Sequence, residues 1–141
     1  MNRLYFKGLD LAEWVPWVDS IMADAVATVT EHVTGAEADI ASAYPSSAAS
    51  LANAMTHHID REGYHIAAAV TNSHPIAWIY DHGTMARHTE AGLSRGAERP
   101  HHIFLPRTYE WARHQYLELS ALLERYGFTV TGDMDEGDII G

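Results

Sequence analysis

The stretch VPWVDSIMADAVATVTEHVTGAEADI, residues 15–40, decides the fold of this chain. Its apolar residues recur at intervals of three or four: Val15, Val18, Met22, Val26, Val29, Val33, Ala36 and Ile40. This spacing predicts one apolar face of a helix of about seven turns, packed into the core. Pro16 predicts that the main helix begins near Val15, and Gly35 is a weak helix former within it. Pro45 predicts the end, because the residue before a proline avoids helical geometry.

A small antiparallel sheet is predicted for the middle of the chain. Alternation of side chains indicates two strands around the turn Arg61-Glu62-Gly63: Met55, His57 and Ile59 on the first, then Tyr64, Ile66, Ala68 and Val70 on the second. A helix over residues 48–61 fits part of the same sequence, and residues 76–83 fit either a short helix or a strand. Further short strands are predicted at residues 3–8, RLYFKG, and at residues 128–132, FTVTG.

A second helix is predicted over residues 108–126. Its apolar residues are again three and four apart: Ala112, Tyr116, Leu119, Leu123 and Tyr126. Gly127 follows directly and is expected to end the helix in a left-handed conformation. At the other end of the chain, Asp10 and Glu13 have the spacing of a capping box for the first helix.

These elements predict an α+β fold, in which a long N-terminal helix and a C-terminal helix pack on one face of a small antiparallel sheet. A chain of 141 residues has room for one core, so residues 1–132 are interpreted as a single domain. Residues 133–141, DMDEGDIIG, are interpreted as an acidic tail in solvent. Their aspartates lack the twelve-position ligand frame of a calcium loop.

Composition excludes several classes of protein. The formal net charge of −10 disfavours binding to nucleic acid phosphates, so no direct sequence-specific contact with nucleic acid is expected. Cysteine is absent, which excludes disulfides and thiolate chemistry. The sequence has no apolar run of about 18 residues and no signal-peptide pattern at the N-terminus, so neither membrane insertion nor secretion is expected.

The sequence contains no recognisable catalytic motif, although it has ten histidines. His57-His58 and His101-His102 are neighbours in sequence, and on a strand neighbouring side chains point to opposite faces. The helical zinc motif H-E-x-x-H, the G-x-S-x-G nucleophile turn and a phosphate-binding glycine loop with its lysine are all absent. We therefore predict no catalytic residue, no cofactor and no metal site, with a small histidine- and metal-dependent enzyme as the alternative.

A polar segment follows the apolar run of residues 76–80 and ends before the apolar residues 103–105. Residues 85–100 are predicted to form an extended loop that reaches a neighbouring molecule, since unstructured loops of this length are uncommon in compact domains. Arginine pairs well with carboxylates across interfaces, and four arginines stand out in this acidic chain. The predicted interface residues are Asp81, His82, Gly83, Thr84, Arg87, Arg95, Arg99 and Arg107.

Three short motifs resemble the neck, or tail-completion, proteins of long-tailed bacteriophages, which include minor head–tail joining proteins of lambda-like phages. The family segment Tyr-Ala-x-x-Val-Glu-x-Gly-Thr is similar to IAWIYDHGT, residues 76–84, with Asp81 in place of the glutamate. HHIFLPRT, residues 101–108, resembles Pro-Phe-Leu-x-Pro-Ala without the first proline and the alanine. YPSSAASL, residues 44–51, resembles Pro-x-x-Thr-Gly-x-Leu without the glycine. The similarity extends over about residues 23–132.

The resemblance implies a structural virion protein without catalysis, made in the host cytoplasm and located at the head–tail junction. It implies a homo-oligomeric ring, expected to be a hexamer, with phage head-completion and tail proteins as neighbours. A tail terminator protein of the same tail is the alternative within this class, because both are small α+β ring formers. A small monomeric or dimeric binding module is the alternative outside it.

Overall fold

The computed structural model describes residues 11–84, 87–88, 92, 94–97 and 99–131. Its elements, in chain order, are α1 (Leu11–Ala43), α2 (Ala49–Asn53), β1 (Met55–Glu62), β2 (His65–Asn72), α3 (Ala77–His82), β3 (Arg87–His88), β4 (Ser94–Gly96) and α4 (Phe104–Arg125). This order confirms the predicted α+β fold with its long N-terminal helix, C-terminal helix and antiparallel sheet. The strand predicted at residues 3–8, the cap at Asp10 and the acidic tail at residues 133–141 lie outside the described residues.

The first helix has the apolar face that its sequence predicts. Most of the face is buried, with Val29, Val33 and Ile40 at its centre. Val15 is an exception, because it is 40% exposed near the N-terminal end of the helix. Pro16 lies inside the helix rather than at its start. Its carbonyl oxygen accepts a hydrogen bond of 3.1 Å from the Ser20 hydroxyl.

The two strands β1 and β2 pair in the predicted antiparallel arrangement, with Met55 opposite Asn72 and Glu62 opposite His65. The alternative helix over residues 48–61 is correct only as far as Asn53, where α2 ends before the strand begins. α1 packs against this hairpin. The side chains of Glu37 on α1 and His57 on β1 are hydrogen-bonded to each other, which ties the strand to the helix.

The best-buried cluster lies at the C-terminal end of α1. Ile40, Tyr44, Leu51 and Met55 form its centre, and side chains from β2, α3 and the start of α4 cover it. These apolar residues come from six elements, so burying them fixes the relative positions of those elements.

The long helix α4 packs along α1, and Gly35 permits a close approach of Trp111 to α1. A Cβ atom at Gly35 would lie 2.7 Å from Cη2 and 2.9 Å from Cζ3 of Trp111. Gly35 was predicted to weaken α1, and the structure shows that it provides the space for the indole. Asp39 lies one turn further along α1 and accepts a hydrogen bond of 3.0 Å from Trp111 Nε1.

The C-terminal end of α4 has the predicted glycine cap. Gly127 has φ of +94°, and its N–H donates to the carbonyl oxygen of Glu124 while the N–H of Phe128 donates to that of Leu123. This pair of hydrogen bonds is the Schellman motif. The strand prediction for residues 128–132 is wrong over residues 128–131, which form no strand. Phe128 instead stacks on Trp17 of α1, with ring centroids 5.1 Å apart.

Within the segment predicted to be an extended loop, β3 and β4 form a short antiparallel pair, with Arg87 opposite Gly96 and an irregularity after Arg87. The described parts of this segment therefore have some sheet structure of their own. Across the described part of the chain, no helix has both the length and the apolar character needed to cross a bilayer.

Candidate interaction surface

The segment of residues 72–84 is held firmly at its start by Asn72, the last residue of β2. The Asn72 amide nitrogen donates to the carbonyl oxygen of Leu51, at 3.0 Å, and to the Tyr44 hydroxyl, at 3.2 Å. Its amide oxygen accepts a hydrogen bond of 3.0 Å from the backbone N–H of His74. One polar side chain thus joins the sheet, the core helices and the turn that leads into α3.

Asp81 holds the other end of this segment. Its side chain is only 3% exposed. Oδ1 accepts hydrogen bonds from the backbone N–H groups of Ile103, at 2.6 Å, and Phe104, at 2.7 Å, and Oδ2 accepts one from Leu105 at 3.2 Å. The first N–H groups of a helix have no intrahelical acceptor, and the helix dipole favours negative charge there. Asp81 therefore acts as a cap for α4 supplied by a different helix.

Two backbone hydrogen bonds reinforce this junction. The N–H of His101 donates to the carbonyl oxygen of Tyr80, and the N–H of His102 donates to that of Asp81. The His101 ring lies parallel to the Tyr80 ring, with 3.9 Å between centroids. Gly83 ends α3 with φ of +74°, a conformation that side-chain-bearing residues rarely adopt. This glycine therefore makes the turn that follows α3.

α3 has an exposed apolar surface on its outer side, which we call the α3 patch and define as Ile76, Trp78 and His82. Ile76 is 48% exposed and Trp78 is 66% exposed. The exposed fraction of Trp78 is the largest among the described large apolar residues. The His82 ring stacks on the Trp78 ring with 3.4 Å between centroids. Its Nδ1 donates to the Trp78 carbonyl oxygen at 3.0 Å, which holds the imidazole ring beside the indole.

A cavity of about 190 Å³ adjoins the α3 patch. Trp78 and His82 form one side, and Phe104 and Leu105 at the start of α4 form another. An exposed tryptophan next to an apolar depression is typical of the centre of a protein interface, where tryptophan is enriched. The geometry therefore suits the binding of an apolar side chain from another protein surface.

The structure brings some of the predicted interface residues together. Asp81 is buried under the patch, where its oxygens are occupied within its own chain, whereas His82 is exposed on the patch. Gly83 and Thr84 follow directly and are half-buried. Asp81 thus stabilises the junction beneath the α3 patch, and the His82 side chain is part of the exposed patch itself.

The four predicted interface arginines, Arg87, Arg95, Arg99 and Arg107, do not lie together in the fold. Arg107 Nη1 lies 3.3 Å from Asp39 Oδ1, so this arginine forms an ion pair between α4 and α1 of its own chain. Arg99 is exposed. Arg87 and Arg95 belong to β3 and β4, and their side chains lie outside the described part of the structure. The prediction that these arginines contact neighbouring copies stays a prediction for Arg87, Arg95 and Arg99.

Several histidines have local partners in the fold. His32 is buried and its Nδ1 lies 2.8 Å from the Thr28 carbonyl oxygen, and His57 is bonded to Glu37. Among the described residues, no three histidine, aspartate or glutamate side chains are grouped so that they could hold a metal ion. These histidines therefore contribute to packing and hydrogen bonding at separate places.

Burial raises the pKa of Tyr44, which lies under α3 with its ring 5.8 Å from that of Tyr80. The negative charge of Asp81 raises the pKa further, while the hydrogen bond from Asn72 opposes the shift. The Tyr44 hydroxyl therefore loses its proton at a higher pH than an exposed tyrosine does.

Sequence analysis missed two features of this region. Trp78 was not singled out, because a tryptophan in a short apolar run looks like a core residue. Asn72 was missed because its partners lie 17–28 positions away in the chain. The strand-ending position of Asn72 was the available signal, since asparagine is depleted in strands and common where they turn.

Comparison of the chain with protein-family models, with curated proteins and with solved structures gave no match.

Proposed function

We propose that this chain is a structural virion protein of a long-tailed bacteriophage. It acts as a subunit of a homo-oligomeric ring in the neck, where it completes the head–tail joint without catalysis. The observation that carries the proposal is the α3 patch. The residues that resemble the phage neck family, 76–84, are the same residues that form an exposed aromatic surface on a firmly held helix.

The polar residues of the resembling motif have structural reasons for their positions. Asp81 accepts the N–H groups at the start of α4, and Gly83 makes the turn after α3. A glutamate at position 81 offers the same two oxygens on a longer side chain, which is consistent with the family pattern. The motif thus serves to build and present α3, as expected of a protein that works through a surface.

The exposed area of Trp78 is large enough to contribute to assembly. A tryptophan side chain buries about 150–250 Å² when fully covered. Covering the exposed 66% of Trp78 removes on the order of 130 Å² from water, or about 3 kcal/mol at 25 cal/mol per Å². The loss of such a contact weakens association by roughly 100-fold.

The assembly test compares Trp78→Ala with a matched control, Leu117→Ala. Leu117 is also a large exposed apolar residue, 53% exposed, but it lies on α4. Sedimentation velocity over a concentration series is expected to show that Trp78→Ala dissociates at much higher concentration than the wild type. Leu117→Ala is expected to match the wild type. Equal dissociation of all three proteins would remove the α3 patch from the interface.

The virion role has its own test, which is disruption of the gene in a phage that encodes this chain. Filled heads and finished tails that fail to join are the expected result. Tails of irregular length would indicate a tail terminator instead. Normal infectious particles would contradict a role in the joint.

A further inference from the structure

A closed ring of more than two copies requires two different surfaces on each subunit. Every copy then contacts its neighbour head to tail, so that one surface of a subunit meets a different surface of the next. The α3 patch, together with the adjoining cavity of about 190 Å³ that we call the α3 cavity, supplies one of these surfaces. Because this surface contains a recess, its counterpart on the same chain must project.

The turn of the hairpin formed by β1 and β2 presents an exposed aromatic side chain. Gly63 and Tyr64 lie between the two strands, and Gly63 has φ of +58°. Tyr64 is 57% exposed, and the neighbouring strand residues Arg61, Glu62 and His65 are exposed as well. A Cβ atom at Gly63 would meet no atom of the described structure within 4 Å. The hairpin therefore carries Tyr64 on an open turn.

Tyr64 fits a recess better than the other exposed side chains outside the α3 patch. Among the described large apolar residues, these are Val15 and Leu117. Both lie within long helices, Val15 on α1 and Leu117 on α4, so each is one point on an extended helical surface. Tyr64 is the one of the three that lies on a turn and also carries a hydrogen-bond donor.

The size and lining of the α3 cavity suit the ring of a tyrosine. An apolar cavity of about 150 Å³ accommodates one benzene ring, and the α3 cavity has a volume of about 190 Å³. Trp78 and Phe104 line it, and aromatic side chains pack favourably on one another in stacked or edge-to-face arrangements. A phenol ring is thus of the right size and character for this space.

Asp81 provides an acceptor for the tyrosine hydroxyl. It lines the α3 cavity and is 3% exposed. A carboxylate has about four acceptor positions, and the N–H groups at the start of α4 occupy three of them, two on Oδ1 and one on Oδ2. Oδ2 can therefore accept one further hydrogen bond. Hydrogen bonds to an ionised acceptor are stronger than those between neutral groups.

Tyr64 lies too far from the α3 cavity of its own chain to enter it. Asn72, at the base of the hairpin, lines the cavity, whereas His65 beside Tyr64 is seven residues away on β2, or about 23 Å at 3.3 Å per residue. We propose that the α3 cavity of each subunit binds Tyr64 of a second copy, whose hydroxyl donates to Asp81 Oδ2. This inference rests on the proposed function, since it names the occupant of the α3 patch in the ring.

A complementation experiment with two variants tests this head-to-tail contact. Tyr64→Ala removes the inserted ring and keeps the α3 cavity, whereas Trp78→Ala alters the cavity and keeps the hairpin turn. Each variant alone is expected to dissociate at concentrations on the order of 100-fold higher than the wild type. An equimolar mixture is expected to form a 1:1 heterodimer through its one intact pair of surfaces, and to stop there because the remaining pair is altered.

Native mass spectrometry identifies the heterodimer, because the two variants differ in mass, and sedimentation velocity gives its stability. Tyr64→Phe keeps the ring and loses the hydroxyl, so association roughly 10-fold weaker than that of the wild type is expected. Leu117→Ala is the matched control for loss of an exposed apolar side chain and is expected to assemble like the wild type. Unchanged thermal unfolding of Tyr64→Ala, monitored by circular dichroism, establishes that this variant is folded.

The outcomes separate this inference from the proposed function. If Tyr64→Ala assembled like the wild type while Trp78→Ala did not, the α3 patch would remain the interface and its occupant would be another part of the neighbour. Variants that stay monomeric after mixing would overturn the head-to-tail pairing. Equal association of Tyr64→Phe and the wild type would overturn the hydrogen bond to Asp81. A wild type that never associates would overturn both the inference and the ring.

Discussion

Replacement of Asp81 by alanine is expected to destabilise the fold more than the loss of an ordinary surface carboxylate. Asp81 accepts hydrogen bonds from three backbone N–H groups, at 2.6, 2.7 and 3.2 Å, and it is buried. Each N–H left without an acceptor costs about 1 kcal/mol, which gives a total of about 3 kcal/mol. For a chain of 141 residues this corresponds to a melting temperature lower by about 10 °C.

The assay is urea denaturation followed by circular dichroism, with Asp81→Asn and Asp60→Ala as companions. Asparagine keeps one oxygen acceptor but loses the charge, so a loss of about 1–2 kcal/mol is expected. Asp60 is an exposed aspartate on β1, and its replacement is expected to change stability by less than about 0.5 kcal/mol. If Asp81→Ala were as mild as Asp60→Ala, the capping of α4 by α3 would be refuted.

Three further predictions concern the helices. Gly35→Ala is expected to lower the free energy of unfolding by about 1–3 kcal/mol, because the new Cβ would overlap Trp111. This loss is expected despite the better helix propensity of alanine. A variant more stable than the wild type in thermal unfolding would contradict this packing. Val29→Asp places a charge where the side chain is 3% exposed and is expected to cost several kcal/mol; an unchanged melting temperature would show that the residue is not in the core. The hydrogen bond to Asp24 raises the pKa of Tyr126, so its stabilising effect is present below the ordinary value of 10.0 and is lost as the pH rises through the raised pKa. Absorbance titration of Asp24→Asn is expected to show one tyrosine ionising at lower pH than in the wild type. An unchanged titration would show that Tyr126 does not form this hydrogen bond in solution.

The two long helices were predicted from long periodic patterns, and the hairpin of β1 and β2 was predicted from shorter alternation. The apolar residues of α1 and α4 repeat over many turns, and such a pattern has one structural solution. The six residues of α3 contain less than two turns, so they fitted a helix and a strand equally well. FTVTG had the alternation of a strand, but a strand also needs a partner, and Phe128 stacks on Trp17 instead.

The side-chain arrangement at the α3 patch was not predictable from the sequence. The resemblance drew attention to residues 76–84, yet the capping role of Asp81 depends on N–H groups more than twenty positions away. Arg107 was predicted to pair with a neighbouring copy, and its described partner is Asp39 of the same chain. Such pairings are set by how α1 and α4 pack together, and residue spacing within one helix contains no information about them.

Native mass spectrometry of the purified, untagged protein is the most direct test of the proposed role as a ring subunit. A single closed species, expected to be a hexamer, is predicted at concentrations where the wild type associates, and Trp78→Ala is predicted to shift it to monomer. A protein that stays monomeric at all concentrations, or one that forms an open-ended ladder of species, would contradict a ring subunit.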